Sequence, residues 1–128
     1  FMDYPKWRTI NKRITFRCRM SIFNIKHNFL LMISSIQKYC SKTYNISLDA
    51  LKGKKDIRDR EEYKNYNLSI ILCWLLQPTP KYGCKSLIAR FHGCKHKNRV
   101  YRLSKFYQSN SNFKEFVDKE LERFYKSN

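Results

Sequence analysis

The sequence predicts a mostly α-helical domain of five or six helices carrying a helix-turn-helix, preceded by an N-terminal basic arm with the pattern of a β-strand. Three observations predict it. The 128 residues are 42% apolar and 29% charged, enough for one domain with its own core. The hydrophobic period changes from two to helical spacing near residue 27. Turn signals at Gly53, Pro78–Gly83 and His92–Cys94 then cut the helical stretch into short segments. Residues 1–30 are expected as the arm and 31–128 as the helical domain.

In the arm, Ile14, Phe16, Cys18, Met20 and Ile22 alternate with Arg13, Thr15, Arg17, Arg19 and Ser21. Strict alternation is strand chemistry, but a lone strand is unstable. It needs a hairpin partner, a second copy of the chain or a neighbouring protein, or it is an arm that orders on binding. The sequence leaves these open.

Helical spacing then puts Phe29, Met32, Ile33, Ile36, Cys40 and Tyr44 on one face. Ser47 caps a short turn, Leu48–Leu51, and a basic loop follows with Gly53 for the bend. Asp59 with Glu62 makes a capping box. It opens a helix whose stripe holds Tyr63, Tyr66, Asn67, Ile70, Ile71, Trp74 and Leu75, read as core rather than as a base-stacking platform. That helix stops before Pro78. A short helix contains Leu87, Ile88 and Phe91, and Gly93 turns the chain. The next helix, about 95–108, buries Val100, Leu103 and Tyr107 or Phe106. Asn112 and Glu115 cap a last helix of mixed charge, read as scaffold.

Charge narrows the function. Lys and Arg number 27 against 10 acids, a formal +17. From Tyr63 to Lys114 there is no acidic residue, whereas residues 111–128 balance at four and four. Such self-repulsion calls for an anionic partner, and nucleic acid is the first candidate. No apolar run is long enough to span a bilayer, and no helix has the face of a membrane-surface anchor. With glycine only at 53, 83 and 93, no phosphate-binding loop of an ATPase can be written. Five cysteines without paired spacing fit reduced thiols and a cytoplasmic location. The N-terminus lacks a signal-peptide core, and its start with Phe1 before Met2 reads as an expression scar or as a piece of a longer chain.

A short helix, a glycine turn and a helix with a basic outer face form a helix-turn-helix. Such a second helix fits the major groove of double-stranded DNA, with its first residues at base edges and flanking cations on phosphates. The candidate contacts on it are Lys95, His96, Lys97, Asn98, Arg99 and Arg102. Lys85 and Arg90, with the rest of Lys81–Arg90, and the loop cations Lys54, Lys55 and Arg58 are expected to clamp the backbone.

The order Ile36-Gln37-Lys38, Tyr44-Asn45-Ile46, Leu51-Lys52-Gly53-Lys54-Lys55, a long helix, then Phe91-His92-Gly93-Cys94-Lys95-His96 and a basic helix resembles the C-terminal DNA-binding domain of the bacterial replication initiator DnaA. The resemblance covers about residues 36–125. It implies that Lys54, Lys55 and Arg58 occupy a loop reaching the minor groove and that His96 matches a signature histidine. It also implies a bacterial, phage or mobile-element setting. The chain departs from the family where Lys95 replaces an acid, where Lys97 and Asn98 replace hydroxyl residues, and where Val100 stands one position late. Those changes favour phosphate affinity over base readout, so the family's target sequence does not carry over.

Cys84, His92, Cys94 and His96 match no usual zinc spacing. No orienting group completes a cysteine nucleophile. The expectation is therefore a non-enzymatic module without cofactor or metal, its partner double-stranded DNA. The alternative is an accessory or structural nucleic-acid-binding domain of a larger complex: a transposase, nuclease, polymerase or RNA–protein assembly.

Overall fold

The computed structural model describes residues 22–57, 59–77 and 84–127, with side chains from residue 28 onward. These residues form six helices and no strand: α1 (Ile22–Tyr44), α2 (Leu48–Leu51), α3 (Arg60–Leu75), α4 (Cys84–Phe91), α5 (Asn98–Ser109) and α6 (Ser111–Ser127). The mostly α architecture is as the periodicity predicts. No described helix is long and apolar enough to cross a membrane.

Helix α1 starts earlier than expected, so Ile22 and Phe23 at the end of the alternating stretch are helical. The remainder of that stretch, residues 13–21, lies outside the described residues. Helix α1 also runs through the division expected between residues 30 and 31, and Phe29 is completely buried. The core therefore begins before residue 31. Phe29, Ile33, Ile36 and Cys40 recur on one face, as their spacing requires. Asn45, at φ 56°, ends the helix in the left-handed region that asparagine tolerates.

Two predicted caps form. Ser47 Oγ accepts from Ala50 N at 3.1 Å, and Asp59 Oδ1 accepts from Glu62 N at 2.8 Å. Helix α3 touches each of the other five. Its second half is buried on nearly every side, Leu68, Ser69, Leu72 and Cys73 as well as Ile70 and Ile71, so the single predicted stripe was too narrow there, whereas Tyr63 in the first half is exposed and not core as expected. Each such aliphatic side chain contributes about 1.5–3 kcal/mol. Burial pushes the Cys40 thiol up to about 12 and raises Cys73 also, so both are inert packing groups.

Helices α5 and α6 join at one residue. Asn110, extended at φ −113° and ψ 111°, closes α5 and its Oδ1 accepts from Phe113 N at 2.9 Å. Asn110, rather than Asn112, is thus the cap of α6. Among the described residues, every ion pair lies within α6: Lys114–Asp118, Lys119–Glu115, Arg123–Glu120 and Lys126–Glu122. Glu120 also accepts from Tyr44 on α1. The last helix neutralises itself and leaves the excess charge elsewhere.

Candidate nucleic-acid interface

Two short helices, α2 and α4, end in the same way. Gly53 (φ 77°) and Gly93 (φ 74°) each take the left-handed conformation one residue past the helix cap. Gly53 N donates to Ala50 O at 3.1 Å and Lys54 N to Asp49 O at 2.8 Å. Gly93 N donates to Arg90 O at 3.1 Å and Cys94 N to Ala89 O at 2.8 Å. Both are Schellman endings, in which the glycine and the residue after it satisfy orphan carbonyls.

The two glycines lie against each other. A Cβ on Gly53 would stand 2.6 Å from Gly93 Cα, and one on Gly93 the same distance from Gly53 Cα. Only bare backbones approach so closely. Gln37 completes the junction from α1. Its side chain is 1% exposed, and its Nε2 donates to Phe91 O at 2.8 Å and, at the limit of 3.5 Å, to Leu51 O. These carbonyls belong to equivalent last residues of α4 and α2. One buried amide thus serves both helix ends.

Helix α3 fixes the second turn. Tyr66 donates its hydroxyl hydrogen to His92 O, and its oxygen lies 3.3 Å from Cys94 Sγ. Burial, and then the hydrogen bond with Cys94, push the Tyr66 hydroxyl pKa up, so the donor stays protonated. The His92 ring is buried between Ile88 O, 2.9 Å from Nδ1, and Ser69 Oγ, 2.8 Å from Nε2. A carbonyl only accepts, so Nδ1 carries the hydrogen and Nε2 accepts from Ser69. Desolvation lowers the His92 pKa to about 4, which keeps it neutral.

Around this junction the predicted cations gather. Lys54 and Lys55 follow one glycine, and Lys95, His96 and Lys97 follow the other; all five are exposed. Arg90 is exposed at the end of α4. Helix α5 starts at Asn98, so Lys95–Lys97 belong to the turn and not to the helix as predicted. Lys97 sits at the cap position, where its side chain makes no capping bond. Beyond it Asn98, Arg102 and Lys105 form the outer ridge of α5, while Val100, Ser104 and Tyr107 face the core. Two shallow grooves flank the turn. One, of about 360 Å³, includes Cys94, His96, Asn98 and Arg102; the other, of about 410 Å³, includes Ser86, Arg90, Lys95 and Lys97. Neither has an acidic lining residue among those described. Lys54, Lys55, Lys95, Lys97 and Arg102 have no ion-pair partner among the described residues.

Arg99 takes a different place from the one expected. Its guanidinium donates to Tyr63 Oη at 2.6 Å and to Asn67 Oδ1 at 3.2 Å, and sits 5.1 and 5.5 Å from the Tyr63 and Tyr66 ring centroids. It ties α5 to α3 and positions the ridge. Beside Lys105, which the sequence already puts on the basic face of this helix, Tyr101 joins the surface from outside the predicted set. Tyr101 is 48% exposed, with Lys85 Nζ at 5.2 Å and Lys105 Nζ at 5.4 Å from its ring. The acid-free run from Tyr63 to Lys114 already held both Tyr101 and Lys105. Arg58 and Lys81 lie outside the described residues.

No group of three or more histidine, cysteine or acidic side chains is placed to hold a metal among the described residues. His92 and Cys94, weighed above as zinc ligands, are engaged with α3 and α4 instead. Comparison with models of protein families, with curated proteins and with solved structures finds no match to this chain.

Proposed function

We propose that this chain is a double-stranded DNA-binding module that lays α5 in the major groove and sets its two glycine-joined basic turns on the adjacent backbone. The observation that carries the reading is the Gly53–Gly93 contact. It brings two basic segments forty residues apart in sequence to one edge, beside the first residues of a helix with a basic outer face. Their cations lack acidic partners among the described residues, so phosphates can neutralise them. The resemblance to the DnaA domain points the same way, the loop taking the backbone or minor groove.

Base readout falls to the outer ridge. Asn98 opens α5 and Arg102 stands one turn later, the positions from which a recognition helix reaches base edges. Asparagine matches adenine and arginine matches guanine, each bidentate pair worth about 1–3 kcal/mol. Lys95 and Lys97, in the turn, hold phosphates. Selection from a random-sequence duplex library at physiological salt, with an RNA hairpin as competitor, tests this. A short enriched motif should appear, with preference lost at one position in N98A and at another in R102A. Absence of enrichment, or preference for the RNA, overturns the reading.

A further inference from the structure

Helix α5 has a second flank. Tyr101 lies on one side of its outer ridge; on the other, Phe106 borders a groove of about 380 Å³ between α3, α5 and the start of α6. Leu103 and Phe113 are half-buried within it, and Tyr63 and Phe106 stand 44% and 46% exposed. The Phe106 and Phe113 rings are 4.8 Å apart. Arg60 and Lys64 add the positive charge, with Lys64 Nζ 4.5 Å from the Phe116 ring. None of the described lining residues is acidic. An apolar patch of aromatic rings among cations, on the side of α3 from which Tyr63 also holds Arg99, is neither ordinary core nor an ordinary solvated face.

From this arrangement we infer that the groove binds an unpaired nucleobase, so that the protein engages duplex carrying a single-stranded extension. Aromatic rings stack on any base, and cations at the margin hold the flanking phosphates. The groove shares α5, and the Arg99–Tyr63 contact, with the ridge assigned to the duplex. A strand leaving the duplex can therefore continue onto it. An acidic peptide with an aromatic anchor shares the charge but not this continuity, and a second copy of so basic a chain lacks the charge. The inference rests on the duplex-binding reading only for the side from which nucleic acid arrives.

Affinity of the full chain for three ligands at one salt concentration tests it: a blunt duplex, the same duplex with a thymidine overhang, and the same duplex with an abasic overhang of equal charge. The thymidine overhang should bind at least about fivefold tighter than the abasic one. F106A should remove that advantage while leaving blunt-duplex affinity unchanged, and F106W should retain it. Equal binding of the two overhangs by the wild-type chain overturns the inference. So does an advantage that survives in F106A, or an acidic aromatic peptide that displaces the overhang but not the duplex. Failure to bind the blunt duplex, by contrast, strikes the duplex reading itself.

Discussion

At the end of α4, His92 is held by Ile88 O and Ser69 while its own carbonyl accepts from Tyr66. Its pKa of about 4 in the fold lies below the ordinary 6.5. The unfolded chain therefore binds the extra proton more readily. The stability linked to His92 is complete above about pH 6.5, falls as pH drops through the interval, and levels off below about 4, a loss on the order of 3 kcal/mol. Urea midpoints at pH 7 and pH 4.5 should fall further for the wild type than for H92Q, each compared with itself. Parallel losses would show that other groups dominate. The sequence made His96 the histidine of interest, because it falls at the start of the expected basic helix and matches the signature histidine of the DnaA-like pattern. It gave no sign that His92, four residues earlier, closes the packing beneath. Arg99 was misplaced for a related reason: at the margin of a helix face, spacing does not say whether a guanidinium meets solvent or the two tyrosines of a neighbouring helix.

At the scale of elements, the loop after α2 and the turn after α4 act as one unit, because their glycine backbones touch and Gln37 bridges their helix ends. Alanine at either glycine must adopt positive φ and also push the opposite loop away. G53A and G93A should each destabilise by about 2–4 kcal/mol, measured as shifts in urea midpoint. The double variant should cost less than their sum, since one displaced loop opens the gap for both. Strict additivity would mean that the contact does not couple the loops. Most helices here were legible in the sequence, because Ser47, Asp59 and the apolar spacing are local signals. Both bends were legible from their glycines as well. Their meeting was not, since contact between residues 53 and 93 depends on how α1, α2 and α4 pack around α3. The start of α1 was obscured by Ile22, which satisfies an alternating and a helical pattern equally. Helix α5 was expected three residues early because the basic run continues unbroken from the turn into the helix.

Across the whole molecule, charge is divided between regions of different work. Helix α6 holds four acids and four bases, all engaged with one another within the helix. The excess of the formal +17 lies in the rest of the chain, including the glycine-joined edge and the ridge of α5. This division was the most legible functional signal in the sequence, because a stretch from Tyr63 to Lys114 without an acid needs no fold to be noticed. What the fold adds is direction: the cations of the α2 loop and the α4 turn share one edge. The direct test is the salt dependence of duplex binding by the wild type, by a K95A/K97A variant and by K119A on the self-neutralised helix. If six to eight phosphates are contacted, log K against log salt should have a slope of roughly −5 to −7. K95A/K97A should make the slope shallower by about 2, and K119A should leave it unchanged. A wild-type slope near −1 to −2, or equal changes in the two variants, would contradict duplex binding through this edge.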